Sequence, residues 1–95
     1  MMKREIPERP WQIIACDLFN HAEKEYLIPV DYYSDFFEVD LLSTTTSGAV
    51  VNKLRGHISR HGIPDIVISD NETQFSNQEF LNFSKKWDFT HESSS

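Results

Sequence analysis

Cysteine is almost missing from this chain: Cys16 stands alone among 95 residues, so no internal disulfide can form. No C-x-x-C and no paired Cys/His spacing occurs either, which removes the common zinc-finger patterns. Long apolar runs are lacking, and the longest are only a few residues, too short to cross a bilayer. No charged start leads into an apolar stretch, so no signal peptide is expected. Basic residues are scarce: nine Lys and Arg stand against fifteen Asp and Glu, for a net charge of −6. A simple grip on nucleic acid through clustered cations is therefore not expected. Three of the nine (Lys3, Arg4 and Arg9) also precede the first strand-like run. Any action on DNA has to come from a carboxylate site.

What is present is a globular composition, 39% hydrophobic and 13% aromatic, in a chain sized for one domain. Residues 1–10 are charged, hold two prolines and show no periodicity, so they read as a tail or linker ahead of a domain over 11–95. Trp11 to Phe19 is nearly continuous in apolar residues and reads as a buried strand. Asn20 to Lys24 is a polar turn, and Tyr26 to Val30 reads as the returning strand. Pro29 is out of place there, because proline cannot donate to a sheet ladder. After a turn at Asp31 to Ser34, Phe37, Val39 and Leu41 alternate with Phe36, Glu38 and Asp40, the pattern of a strand with one wet face.

Thr44 to Ser47 is rich in N-cap residues, and Val50, Val51, Leu54 and Ile58 follow at helical spacing. Gly62 is expected to close that helix in the left-handed conformation. Gly56 inside it costs roughly 1 kcal/mol relative to alanine. Pro64 introduces Ile66, Val67 and Ile68, a short buried strand that ends at Asp70. Ser76 and Glu79 read as a capping box, with Phe75 and Phe80 at the positions of a hydrophobic staple. Phe80, Phe83 and Trp87 continue one apolar stripe, and Phe89 to Glu92 begins another strand. Three strands, helix, strand, helix, strand is the pattern of an α/β domain with a mixed sheet.

Two aspartates stand out by position. Asp17 interrupts an apolar strand, where a carboxylate is costly unless paired or bound to a metal. Asp70 sits where a buried strand runs out into a loop, the place where α/β sheets put their ligands. If their strands are neighbours, both can face one divalent cation such as Mg²⁺, which favours a few hard oxygen ligands. On spacing alone the plain alternative stays open, in which each Asp merely ends a strand or caps a turn.

The other chemistry-bearing residues read as structural. His57 and His61 have the i, i+4 spacing of a metal-binding pair, but no third ligand is near in sequence. They read as solvated residues favoured by the helix C-terminus. Asp31 reads as the side chain of an ordinary turn. The Trp87, Phe80 and Phe83 stripe reads as core, and strand alternation turns Cys16 to the face opposite Asp17.

The runs PWQIIACDLF, YLIPVDYYSDFFEV, RHGIPDIVISDNETQFSNQEF and WDFTHESSS, from Pro10 onward, resemble the integrase catalytic core of gypsy-class LTR retrotransposons. The resemblance implies an RNase H-like fold, a five-stranded mixed sheet with flanking helices. It also implies a site of two aspartates and a glutamate, served by Mg²⁺ or Mn²⁺. The first acid matches Asp17 in the DLF run, and the second matches Asp70 in SDN-x-x-QF. Glu79 and Glu92 come too early to match the third, so the chain is expected to be a C-terminally truncated core, inactive alone. The implied partners are DNA and a second integrase copy, either this chain or a full-length one. No membrane is expected, and the nucleus is the implied place of action.

Three departures from the family pattern stand out. Glu72 and Thr73 follow Asn71 where the family has Gly-Pro, which removes an easy positive-φ position and adds a negative charge beside the site. Pro29 falls at a central strand position, and Gly56 weakens the first helix. Two further functions compete: a domesticated, non-catalytic interaction module, or a remnant of a decayed element. The acidic balance favours protein over free nucleic acid as the partner of such a module. A cellular RNase H shares the fold, but DNETQF and YYSDFFEV look like integrase instead.

Overall fold

The structure, a computed structural model, describes residues 6–94. Half of the expected tail therefore lies outside the described residues. Of the rest, Arg9 forms an ion pair with Asp65 at 2.9 Å.

The apolar run after Trp11 forms β1, Ile13–His21. It turns back through Ala22 and Glu23, both at positive φ, into β2, Lys24–Asp31. A two-residue loop with both residues left-handed matches the right-handed twist of the strands it joins. A short edge strand, β3 (Asp40–Leu42), completes the antiparallel meander. Helix α1 (Ser47–His61), strand β4 (Ile66–Ser69), helix α2 (Gln78–Trp87) and strand β5 (Thr90–Ser93) follow. The sheet order is β3-β2-β1-β4-β5, with β4 parallel to β1 and β5 parallel to β4. The expected mixed five-stranded α/β architecture is present.

One core holds the domain together. Ile14, Cys16, Leu27 and Val67 present one face of the sheet to Val50, Val51 and Leu54 of α1 and to Phe80 and Phe83 of α2. Both helices cover this face, and the stripe of Phe80 and Phe83 is core, as expected. On the opposite face, Ala15, Tyr26, Ile28 and Ile66 are only partly covered and Phe19 is exposed.

Pro29 does sit inside β2, opposite Cys16. It costs no bond to β1 because of the side it faces. The Glu38 N–H donates to the Pro29 carbonyl at 3.2 Å, so this carbonyl points to the outer edge of β2. A strand residue's nitrogen and carbonyl project to the same side, and on that side the β3 ladder stops at Leu27. The missing donor therefore faces the segment at Glu38 and not β1. The pairing of β1 with β2 stays intact and only the return bond to Glu38 is lost, at the edge side where proline is accepted in a sheet.

The strand expected around Phe37 to Leu41 is corrected in extent and in sense. Only Asp40–Leu42 forms a ladder strand, with an isolated bridge from Val30 to Phe37. Phe37, Val39 and Leu41 are the exposed set, while Glu38 and Asp40 turn toward α1. The reason is His57. Its side chain is 1% exposed, not solvated as its position in the helix suggested, and its imidazole needs polar partners. Nε2 lies 2.6 Å from Asp40 Oδ2, and Nδ1 lies 3.4 Å from Glu38 Oε2.

Helix boundaries bring smaller corrections. Thr46 caps α1 by accepting the Ala49 N–H. Gly62 ends the helix at φ 99°, ψ 174°, a fully extended positive-φ conformation rather than the left-handed helical one, and a region open essentially to glycine alone. The capping box at Ser76 does not form; Asn77 is the cap, accepting the Phe80 N–H at 2.9 Å. Ser76 instead donates to the carbonyls of Asn71 and Glu72. Phe75 and Phe80 still meet edge to face, their ring centroids 5.4 Å apart.

Candidate functional site

Asp17 sits midway along β1 and Asp70 directly after β4, on adjacent parallel strands. The ladder pairs Ile13 with Ile66, Ile14 with Val67 and Ala15 with Ile68. Continued two residues beyond that ladder, the same offset matches Asp17 with Asp70, which lies just past the end of β4. Cys16 points into the core, so Asp17 lies on the other, sparsely covered face.

Both aspartates line one open cleft of about 340 Å³, together with Ala15, Val30, Tyr32 and Ile68. Asp17 is exposed rather than buried, so the desolvation cost expected from its apolar neighbours in sequence does not arise. Its Oδ1 accepts the Leu18 N–H at 3.0 Å. Asp70 is half-buried, and its Oδ1 accepts the Glu72 N–H at 3.0 Å, which folds the loop after β4 into a local side-chain-closed turn. Each carboxylate thus commits one oxygen to a nearby backbone amide.

The strand end beneath Asp70 is held by polar contacts. The Ser69 hydroxyl donates to the Asp70 carbonyl at 3.0 Å and lies 2.7 Å from His91 Nε2. Burial holds the His91 imidazole below its ordinary value. Its ring also packs against Phe80, centroids 4.7 Å apart, which ties β5 to the core beside the site.

Glu72 joins the acidic group. Its carboxyl is pushed above the usual range, first by partial loss of water and then by the charges of Asp70, Glu25 and Asp17. The negative potential is therefore shared between the two strands and the loop. Nothing in that loop needs a glycine. Asn71, Glu72 and Thr73 are absent from the positive-φ residues of the described chain, and the Phe75 and Ser76 N–H groups both donate to the Glu72 carbonyl.

The remaining candidates sort clearly. The Asp31 carboxylate accepts the Trp11 and Tyr33 N–H groups and the Ser34 hydroxyl, at 2.9–3.1 Å, which makes it a turn residue as expected. Burial pushes the Cys16 thiol up to about 12, ahead of the effects of Asp40 and Asp17, so it is an inert core group. The reading of His57 and His61 without a third ligand is corrected: Glu38, His57 and His61 converge, with three ligand atoms within 4.8 Å of one another. No spacing rule pairs Glu38 with a helix so far along the chain. The one available signal was an acid alternating with apolar residues just before a helix that carries two histidines.

No family model matches the chain. Among solved structures, the HTLV-2 integrase catalytic core domain in complex with magnesium, in its dimeric form, superposes with a TM-score of 0.82 at 24% identity. That match covers 88% of this chain and 60% of the HTLV-2 chain. A chain of the simian T-cell lymphotropic virus intasome, solved in complex with PP2A regulatory subunit B56 gamma, gives 0.83 at 20% identity. It covers 99% of this chain and 34% of that one. The catalytic core domain of BIV integrase gives 0.81 at 18% identity, over 88% and 55% of the two chains.

The fold is therefore the RNase H-like fold of retroviral integrase catalytic cores. Among curated proteins, K02A2.6 of Caenorhabditis elegans, described as uncharacterized, is 30% identical over 90 residues. Those residues are 94% of this chain and 7% of that protein, so the chain spans a small part of this relative. Among the described residues, no helix is long and apolar enough to cross a membrane.

Proposed function

We propose that this chain forms part of the catalytic domain of a retrotransposon integrase of the gypsy class, acting on DNA. In this reading Asp17 and Asp70 are two of its metal-holding acids. One observation carries the proposal: an aspartate on β1 and another directly after the adjacent parallel strand β4 line a single cleft. Neighbouring strands lie about 4.7–4.9 Å apart, so carboxylates at one register position on one face fall within reach of one cation. The donor set suits the metal, since these are hard oxygens in an acidic setting, as Mg²⁺ or Mn²⁺ prefers. The magnesium in the HTLV-2 core complex supports the same choice.

When bound, such an ion supplies Lewis-acid polarisation of phosphoryl oxygens and a more acidic water. The chain's own groups do the positioning. Leu18 N–H and Glu72 N–H each hold one oxygen of an aspartate, fixing its orientation. The Ser69–His91 contact fixes the strand end that carries Asp70. Asp17 and Asp70 are two of the three acids expected of such a site.

The test is Mn²⁺-dependent end processing and strand transfer by the protein that carries this domain, with its own sequence and with Asp70→Asn. Activity that Asp70→Asn abolishes supports the proposal. Activity that persists in Asp70→Asn removes Asp70 from the site.

A non-catalytic interaction module is the second reading. It is favoured by the exposed Phe36, Phe37, Val39 and Leu41 at the outer edge of the sheet. Such a module would bind its partner equally well with Asp17 and Asp70 both changed to asparagine.

A further inference from the structure

We propose that Glu38, His57 and His61 form a second cation site, selective for a zinc-class divalent ion and sharing no residue with the aspartate cleft. His57 and His61 lie one helical turn apart on α1 and so project from one face. Glu38 approaches from the segment that leads into β3. Its Oε2 lies 3.4 Å from His57 Nδ1 and 3.3 Å from His61 Nε2. Two ligand atoms held at ~2.0–2.1 Å by a tetrahedral zinc ion are ~3.3–3.4 Å apart, so these separations already match two edges of the coordination tetrahedron. Imidazole nitrogens with one carboxylate favour zinc over magnesium.

The surroundings of His57 match a metal-bound histidine as well. Its Nε2 donates to Asp40 Oδ2 at 2.6 Å, which leaves the Nδ1 lone pair directed at the site. A histidine that ligates through one nitrogen commonly donates from the other to a carboxylate, which fixes tautomer and ring orientation. Asp40 is thus a positioning residue. Trp11 walls the site, its ring centroid 4.6 Å from that of His61 and 5.9 Å from that of His57.

A cationic group already stands here. Arg60 Nη2 lies 2.9 Å from His57 Nδ1 and 3.6 Å from Glu38 Oε1. The Arg60 side chain is 57% exposed, so it can swing into solvent when a metal ion enters. An arginine network alone leaves His61 unexplained, because its Nε2 turns to Glu38 Oε2, the oxygen that faces His57, and not to the Oε1 that Arg60 approaches. A water completes the coordination, and the bound ion clips the edge of the sheet to α1.

The test is titration of the full chain with Zn²⁺, and with Co²⁺ as a visible-absorbing probe, in a form carrying Asp17→Asn and Asp70→Asn so that the cleft does not contribute. Saturable 1:1 binding with a tetrahedral Co²⁺ spectrum is expected. His61→Ala and Glu38→Gln each weaken it at least tenfold, and Asp40→Asn weakens it about 10–100-fold. Arg60→Ala strengthens it by removing the competing cation. Circular dichroism confirms that each variant is folded, and His61 and Glu38 are exposed enough for substitution. Absence of saturable binding would overturn the proposal. So would unchanged affinity in folded His61→Ala and Glu38→Gln.

Discussion

His57 Nε2 lies 2.6 Å from Asp40 Oδ2, and this contact ties the first helix to the edge strand of the sheet. The imidazole is buried, so loss of its carboxylate partner strands a polar group in the core. Asp40→Ala is expected to destabilise the domain by about 1–3 kcal/mol, the cost of a buried group left without its hydrogen bond. Urea unfolding gives the answer as a lower midpoint at unchanged slope. A change below about 0.5 kcal/mol would place Asp40 among ordinary surface residues.

That pair also explains what the sequence alone concealed. The alternation of Phe37, Val39 and Leu41 with Glu38 and Asp40 marks a strand with two unlike faces. It does not say which face turns inward. A buried histidine on a helix nearby in space reversed the usual answer, and only the tertiary fold brings the two together. Each aspartate is marked locally, Asp17 by breaking an apolar run and Asp70 by ending another. Only the resemblance pointed to the two as a pair, and their shared cleft depends on the parallel pairing of β1 with β4. Pro29 looked misplaced because its side of the strand depends on where β3 stops. The helix cap moved from Ser76 to Asn77 because both residue types cap well, and the loop closing on Glu72 decides between them.

Gly56 in the middle of α1 has room for a side chain. A Cβ there would meet only Arg60 Nη1, at an ordinary 3.7 Å. Gly56→Ala is expected to stabilise the domain by about 0.5–1 kcal/mol. For a domain of this size that is a rise in Tm of several degrees, on the order of 4–8 °C per kcal/mol. A fall in Tm would show that close packing, not helix propensity, governs this position.

Glu72 carries the electrostatic strain of the acidic cleft. Its carboxyl is raised by partial loss of water and by Asp70, Glu25 and Asp17, so ionising it costs more in the folded chain than in the unfolded one. The corresponding stability is fully present below the ordinary value of 4.5 and is lost as pH rises through the raised one. Glu72→Gln is therefore expected to raise Tm at neutral pH and to bring no gain below about pH 4.5. Added salt should shrink the part of the neutral-pH gain that comes from the charges of Asp70, Glu25 and Asp17. A gain that is constant across pH would mean that charge is not its source.

The central claim is that Asp17 and Asp70 together hold a divalent ion, and Mn²⁺-induced broadening of backbone amide signals tests it most directly. Paramagnetic broadening falls steeply with distance, so it locates the ion without any need for activity. Substoichiometric Mn²⁺ is expected to broaden the amides of Asp17, Leu18, Asp70 and Asn71 first, with Asp17→Asn or Asp70→Asn abolishing the effect. If broadening centres instead on Glu38 and His61, or survives unchanged in the Asp17→Asn, Asp70→Asn double variant, the two aspartates do not form a metal site.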